Sequence, residues 1–174
     1  MKRQLASAAL FALVVGCGYR SVYAAPSGRM SVRPVVSNVA DLATALEVEH
    51  GVREALAREG ALATGAECPC VVVEVTRIDH AAGAIVAAGD RPVAASQITA
   101  VVARATVDDG QAHTLFDTGD VRAEGAYVAS AASPRFSEAL RGQDGTRSAG
   151  RRLGRLLGAR LLGHPSASEE NEGP

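Results

Sequence analysis

Hydrophobic and polar residues alternate along four stretches of this chain. Successive side chains of a strand point to opposite faces, so alternation is typical of strands that bury one face. In the last of these stretches, Val121 and Ala123 fall on an apolar face, whereas Arg122 and Glu124 fall on a polar face. The predicted strands cover residues 30–36, 71–78, 94–107 and 114–127.

Two further stretches carry apolar residues at helical spacing. The first predicted helix covers residues 41–59, with Asn38 and Asp41 as a capping pair and Gly60 as its stop. The second begins at Ser133-Pro134 and runs to about residue 162, loosened at residues 142–145. The predicted buried stripe of the first helix consists of Leu42, Ala45, Leu46, Val52, Ala55 and Leu56, and that of the second of Leu153, Leu156, Leu157 and Leu161.

The connections between these elements complete the predicted fold. Residues 79–93 contain Gly83 and Pro92 and are expected to form a long hairpin end, and Asp108-Asp109-Gly110 signals a tight turn. The order is strand, helix, strand, strand, strand, helix. It predicts an α+β fold in which a four-stranded, mostly antiparallel sheet packs two helices on one face. Gly150, Gly154 and Gly158 recur every four residues and are expected to bring the last helix close to the sheet.

The N-terminus has the features of a secretory signal. Lys2 and Arg3 precede an apolar run over residues 6–15, which is too short for a permanent membrane span. The run ends at Gly16-Cys17, as in bacterial lipoprotein signals, where cleavage between these residues leaves a cysteine that receives diacylglycerol and a third acyl chain. An ordinary signal cut at Ala24-Ala25, which discards Cys17, is the alternative.

The predicted organisation is therefore a signal peptide, a tether and one domain. Residues 1–16 form the signal, residues 17–29 a lipidated tether, residues 30–162 one α+β domain, and residues 163–174 a disordered acidic tail. Gly18, rather than aspartate, follows the cysteine, which resembles the signal for sorting to the outer membrane. The expected location is the periplasmic side of the outer membrane.

Composition and motifs exclude several functions. The net charge is −1, so no bulk positive field indicates nucleic acid, and Lys2 is the sole lysine, which excludes Schiff-base and P-loop lysine chemistry from the mature chain. The four histidines, at positions 50, 80, 113 and 164, have no metal-ligand spacing. Because no catalytic motif is present, we expect neither catalytic residues, nor a bound metal, nor a cofactor, and we do not expect an enzyme.

Cys68 and Cys70 flank Pro69 at the start of the second predicted strand. In an oxidising compartment the two cysteines could pair, although residues two apart in a straight strand lie too far apart unless Pro69 bends the chain. One interpretation is a redox pair; the other is a structural bridge or two half-buried thiols. The structural interpretation is favoured because no helix N-terminus or neighbouring cation is evident to activate a thiol.

Arginines recur on the last predicted helix. Arg147, Arg151 and Arg155 are spaced by four residues, and Arg152 and Arg160 accompany them. Guanidinium groups bind phosphates and carboxylates bidentately, so this face is a candidate surface for an anionic partner. A solvated helix face with cations near its C-terminus is the equally weighted alternative.

The mature start, Cys17-Gly18-Tyr19-Arg20, resembles that of the lipopolysaccharide-assembly lipoprotein family LptE. The following strand, the helix opening near Asn38, three further strands and a closing helix rich in arginine and leucine are similar to that family as well. The similarity extends over about residues 17–162. The Cys68-Pro69-Cys70 pair is not a family feature.

The resemblance implies a partner and a role. LptE proteins plug the outer-membrane barrel LptD, help it assemble, and help deliver lipopolysaccharide to the outer leaflet without catalysing a reaction. A sheet face that carries Glu74, Arg104, Asp120, Arg122 and Glu124 suits the polar interior of such a barrel. The candidate contacts with lipopolysaccharide or the barrel are Arg104, Arg122, Arg147, Arg151 and Arg155. A binding module for another periplasmic or cell-wall partner is the alternative function.

Overall fold

The computed structural model describes residues 28–88, 91–111, 113–128 and 135–164 of the 174-residue chain. The predicted signal, with Gly16 and Cys17, most of the predicted tether, the Ser133-Pro134 helix start and residues 165–174 of the predicted tail lie outside these ranges. The elements in chain order are β1 (Ser31–Val32), β2 (Val36–Ser37), α1 (Leu42–Arg58), β3 (Cys70–Ala88), β4 (Arg91–Asp108), β5 (Thr114–Val128) and α2 (Arg135–Leu161).

The predicted α+β fold and its element order are confirmed. β3, β4 and β5 form an antiparallel sheet, and β1 and β2 both pair in parallel with β3. The first predicted strand is divided into β1 and β2, and Pro34 lies in the gap between them. Because proline lacks an N–H group, it cannot donate to the ladder at that point.

The β3–β4 hairpin is longer than the alternation predicted. Residues 79–93 were expected to be a hairpin end, but the ladder continues from His80 opposite Thr99 to Ala88 opposite Arg91. Register shifts between Val75 and Arg77 and around Ala84 interrupt it without ending it. Bulges of this kind let two strands stay paired across a residue that breaks strict alternation.

Helix α1 begins and ends at the residues that the sequence indicated. Asp41 is the N-cap, because its Oδ1 accepts a hydrogen bond from Thr44 N at 3.1 Å, and Gly60 follows the helix with a φ of 67°. Asn38 does not cap the helix; its Nδ2 donates to Glu74 Oε1 at 2.6 Å.

The buried stripe of α1 is rotated from the predicted one. Leu42 and Leu46 were expected in the core but are 60% and 52% exposed. Their places are taken by Thr44, Val48 and Gly51, which are buried. The cause is a second contact surface, because α1 packs against α2 as well as against the sheet. The side of α1 that contacts α2 carries small residues such as Gly51, and these are buried instead of the two leucines.

Helix α2 is continuous where the sequence suggested a loosened segment. Gly142 and Gly145 lie inside it and pack over the ring of Tyr127 on β5. A Cβ at Gly145 would lie 3.2 Å from Tyr127 Cδ1, so the missing side chain makes room for the ring. The tertiary contact therefore favours a helix that local propensity alone disfavours.

Gly150, Gly154 and Gly158 face α1 and not the sheet, which corrects the sequence expectation. A Cβ on Gly154 would lie 2.8 Å from Gly51 Cα and 2.9 Å from Val52 N, and a Cβ on Gly158 would collide with that of Ala55. Gly150 packs against Thr44 in the same way. The two helices are therefore parallel and touch backbone to backbone.

The hydrophobic core lies between the helices and one face of the sheet. Leu153, Leu157 and Leu161 of α2 are fully buried, and Leu156 is partly buried at the edge of the core. The sheet contributes Val71, Val73, Val75, Val101, Ala103, Ala105, Val107, Val121 and Ala123. Among the described residues, no helix has both the length and the apolar character required to cross a membrane.

Candidate functional site

The face of the sheet that points away from the helices carries charged residues in register. Glu74, Arg104 and Asp120 lie opposite one another on β3, β4 and β5. Their neighbours along each strand, such as Val75 and Ala103, are buried in the core. Because side chains alternate along a strand, this row lies on the outer face. We call the charged residues of this face the outer sheet face.

Two further rows extend the outer sheet face. Arg77 and Arg122 flank Val102, and the next row is formed by Asp79, Ala100 and Glu124. The rows are linked along the strands by ion pairs, Arg77 to Asp79 at 2.9 Å and Arg122 to Glu124 at 2.8 Å. Positive and negative groups therefore alternate, so the outer sheet face is polar without a strong net field.

Arg104 and Asp117 form the tightest pair on this face. Arg104 Nε donates to Asp117 Oδ1 at 2.7 Å, and Arg104 Nη2 donates to Asp117 Oδ2. Gly119 N also donates to Asp117 Oδ1, at 2.8 Å. The hydrogen bond from Arg104 is the main cause that holds the pKa of Asp117 below its ordinary value, and the same bond raises the pKa of Arg104.

The predicted arginines of the last helix lie on the other side of the molecule. Arg151 Nε and Arg155 Nη1 approach Glu54 Oε2 on α1, at 3.4 Å and 4.0 Å. Arg58 pairs with the other oxygen of Glu54 at 3.0 Å. Arg151 Nη2 also lies 2.9 Å from His50 Nε2, where the neutral ring can accept a hydrogen bond. One carboxylate is thus shared among three guanidinium groups.

The five predicted contact residues therefore form two surfaces and not one. Arg104 and Arg122 lie on the outer sheet face, whereas Arg147, Arg151 and Arg155 lie on the helical layer that covers the opposite face. A single small ligand cannot contact both sets. The sequence could not decide this, because it does not specify which face of the sheet the last helix covers.

The structure joins Cys68 and Cys70 by a disulfide, and the Cα atoms of the two cysteines are 4.4 Å apart. Cys70 is fully buried and Cys68 is partly exposed. Arg33 Nη2 lies 3.5 Å from Cys68 Sγ. The sequence interpretation assumed that no cation neighbours these sulfurs, and this premise is wrong. Arg33 is brought there by the parallel pairing of β1 with β3, which matches Ser31 to Cys70.

The remaining polar clusters give no metal site among the residues that the structure describes, where no three His, Cys, Asp or Glu side chains converge. The β4–β5 loop holds Asp109 beside His113, with Nδ1 of the ring 2.9 Å from Asp109 Oδ2. The hydrogen bond from Gln111 N is the main cause that lowers the pKa of Asp109. These contacts hold Asp109 against Gln111 and His113.

This chain has few recognisable relatives. No family model matches it, and no curated protein is significantly similar in sequence. Solved structures with a similar arrangement include a protein from Caulobacter crescentus provisionally described as a lipoprotein (TM-score 0.49, 12% identity, covering 82% of this chain and 93% of that one). A second is rare lipoprotein B from Shewanella oneidensis (TM-score 0.43, 11% identity, covering 81% of this chain and 97% of that one). A third is an uncharacterized lipoprotein B from Nitrosomonas europaea (TM-score 0.44, 13% identity, covering 84% of this chain and 90% of that one).

All three of these structural neighbours are described as bacterial lipoproteins. Their TM-scores lie below 0.5 and their identities below 25%, so the similarity assigns neither a family nor a partner to this chain.

Proposed function

We propose that this chain is an outer-membrane lipoprotein of the LptE kind, whose α+β domain seats in the lumen of the LptD barrel and assists lipopolysaccharide delivery. The outer sheet face is the observation that carries the proposal. It remains uncovered by the two helices, and its charges alternate in sign along β3 and along β5. The polar interior of a large barrel presents side chains of both signs, which such a face can match pair by pair.

The proposed orientation follows from the chain entry point. Met30 N donates to Ala61 O at 2.7 Å, so the chain enters the domain beside the C-terminal end of α1. A tether of about a dozen residues from a lipid on Cys17 would hold this end nearest the inner leaflet. The outer sheet face would then stand roughly along the barrel axis. In this proposal the lipid on Cys17 holds the domain at the membrane, and the outer sheet face contacts the barrel wall.

Co-purification tests the partner. The tagged full chain, extracted from membranes in mild detergent, is expected to bring down an integral outer-membrane barrel of large mass. Arg104→Glu combined with Arg122→Glu should reduce the recovered barrel about tenfold, because like charges then meet across the interface. The matched control is Arg147→Glu combined with Arg152→Glu, which reverses the same number of charges on the helical layer.

The outcome separates the two candidate functions. Recovery of a barrel that is lost only with the sheet variant supports the proposal. Recovery of a different periplasmic or cell-wall partner, with no barrel, supports the alternative of a general binding module. If the sheet and helix variants lose a barrel equally, the outer sheet face is not the contact surface.

Binding of lipopolysaccharide is a second part of the proposal. The guanidinium groups of Arg104, Arg122, Arg147, Arg151 and Arg155 are candidates to contact its phosphates. Replacing all five by glutamine should weaken binding of the purified full chain to lipopolysaccharide. Replacing the sheet pair and the helix set separately assigns the contact to one surface. Unchanged binding in the five-residue variant would remove this part of the proposal.

A further inference from the structure

We propose that the Cys68–Cys70 disulfide is a thiol–disulfide exchange site, in which Arg33 stabilises the Cys68 thiolate and a partner dithiol is the substrate. The site lies at the start of β3, where β1 pairs with it. The proposal is independent of the barrel and lipopolysaccharide role, because it uses none of the residues on which that role rests.

The two sulfurs differ in access. Cys70 is 0% exposed, whereas Cys68 is partly exposed in the loop before the strand. Thiol–disulfide exchange requires a thiolate to approach the sulfur that it attacks. Gly110 packs against one side of Cys68 Sγ, and Cys68 is still the more exposed of the two cysteines. An incoming thiolate therefore attacks Cys68, and Cys70 is the sulfur that leaves first.

The guanidinium group of Arg33 contacts the accessible sulfur. Arg33 Nη2 lies 3.5 Å from Cys68 Sγ, and Arg33 N donates to Val71 O at 2.9 Å, which fixes the start of its side chain. A cation beside a cysteine favours the thiolate over the thiol. Structural disulfides need no such neighbour, since a bonded sulfur carries no charge.

The buried sulfur also has a polar neighbour. Ser31 is matched to Cys70 in the β1–β3 ladder, and Ser31 is 4% exposed. Its Oγ is buried and has no hydrogen-bond partner among the residues that the structure describes. An unpaired buried hydroxyl is costly. Reduction of Cys70 would give this hydroxyl a thiol on the adjacent strand with which to exchange a hydrogen bond.

The exchange balances as follows. One thiolate of the partner attacks Cys68 Sγ; the Cys68–Cys70 bond breaks, and Cys70 leaves as a thiolate and takes a proton from water. The partner's second thiolate then attacks the partner sulfur that is bonded to Cys68. The bond between the partner and Cys68 breaks, and Cys68 leaves as a thiolate beside Arg33. Two electrons pass from the partner dithiol to this chain. The partner gains a disulfide, and no other oxidant is required.

The first measurement uses the oxidised full chain and a reduced peptide that contains two cysteines. We expect one peptide disulfide to form for each Cys68–Cys70 bond that is reduced, as counted by peptide-mapping mass spectrometry, which also keeps Cys17 out of the count. If the folded wild-type protein keeps its disulfide while the peptide remains reduced, the proposal is overturned. This result does not depend on any variant folding.

The second measurement locates the reactive sulfur. The Cys70→Ser variant, incubated with glutathione disulfide, should form a mixed disulfide at Cys68. The Cys68→Ser variant, which leaves the buried Cys70, should react about tenfold more slowly. Equal rates in two variants that both retain the wild-type circular dichroism spectrum would contradict the assignment of Cys68 as the attacked sulfur.

The third measurement isolates Arg33. In the Cys70→Ser background, Arg33→Gln should raise the pH midpoint of Cys68 alkylation by about half a unit and slow its exchange at pH 7 about twofold. Arg29→Gln is the matched control, since Arg29 is an exposed arginine on the same segment. If both substitutions shift the pH midpoint of Cys68 alkylation equally, the contact between Arg33 and Cys68 Sγ has no chemical effect. Arg33 would then have no role in the exchange site.

Discussion

Asp117 shows how a single carboxylate on the outer sheet face is held. It accepts hydrogen bonds from Arg104 and from Gly119 N, and these bonds keep its pKa below the ordinary value of aspartate. Its Oδ1 is only 2.8 Å from Gly119 N because Gly119, with a φ of 63°, turns the strand there. The ion pair therefore depends on a backbone irregularity as well as on charge.

The lowered pKa predicts how this pair responds to pH. Because the folded pKa is depressed, the stabilisation by Asp117 is complete above the unfolded value of about 3.9 and is lost as the pH falls through the folded pKa. Arg104→Gln should move the NMR titration midpoint of the Asp117 carboxyl upward. Arg122→Gln, which breaks the Arg122–Glu124 pair instead, is the control and should leave that midpoint in place. An unchanged midpoint in Arg104→Gln would show that Arg104 is not the main cause.

At the scale of elements, the contact between α1 and α2 decides how the helical layer is built. Gly51 of α1 and Gly150, Gly154 and Gly158 of α2 let the two backbones approach. A Cβ on Gly51 would lie 3.0 Å from Gly154 Cα and 3.1 Å from Arg155 N. Close approach also places Glu54 within reach of Arg151 and Arg155. The ion pairs on the helical layer thus follow from the glycines.

Replacement of Gly154 tests the backbone contact between α1 and α2. Alanine in a free helix would be stabilising by about 1 kcal/mol relative to glycine, so a purely local effect predicts a gain. The contact with the backbone of Gly51 and Val52 instead predicts a net loss of about 1–2 kcal/mol in the free energy of unfolding for Gly154→Ala, since main-chain atoms cannot yield as a flexible side chain would.

Urea denaturation of the purified chain measures this difference, and Ser148→Ala at an exposed position of the same helix is the control, expected within about 0.5 kcal/mol of wild type. A stabilised Gly154→Ala variant would mean that the helices are not in backbone contact.

At the scale of the whole molecule, the domain has two unlike surfaces. The helical layer concentrates arginine: α2 carries seven, and those at positions 141, 147, 151, 152 and 155 are exposed. The outer sheet face mixes both signs, and its aspartates and glutamates outnumber its arginines. A domain with such faces can engage an anionic partner on one side and a mixed polar wall on the other. The lipid proposed at Cys17 would decide which side each partner meets.

The anchor is testable on the intact protein. Mass spectrometry of the native chain should find an acylated residue 17 as the first residue. The Cys17→Ser substitution should release the domain from membranes, because the acyl chains supply most of the free energy of membrane binding, at about 0.8 kcal/mol per buried methylene. Arg29→Gln, in the same segment, is the control and should remain in the membrane fraction. A mature chain that begins at or after Ala25 would contradict the lipidation site and favour the alternative signal cut.

The sequence alone determined the order of elements, the fold class and five of the charged residues on the outer sheet face, but it missed Arg77, Asp79 and Asp117. Alternation and helical spacing are local properties, and they identify strands, helices and the buried side of each strand. Alternation therefore correctly assigns one shared face to Glu74, Arg104, Asp120, Arg122 and Glu124. Asp41 and Gly60 fixed the ends of α1 for the same reason, since capping needs only neighbouring residues.

Only the tertiary structure decided which elements touch. It turned Leu42 and Leu46 outward and directed the glycines of α2 toward α1. It also kept Gly142 and Gly145 helical against the ring of Tyr127 and extended the β3–β4 ladder through residues 79–93. It also separated the candidate arginines onto two surfaces and brought Arg33 to Cys68 across 35 positions of sequence. Each of these depends on contacts between residues distant in the chain, and periodicity within one segment contains no information about the neighbour against which that segment packs.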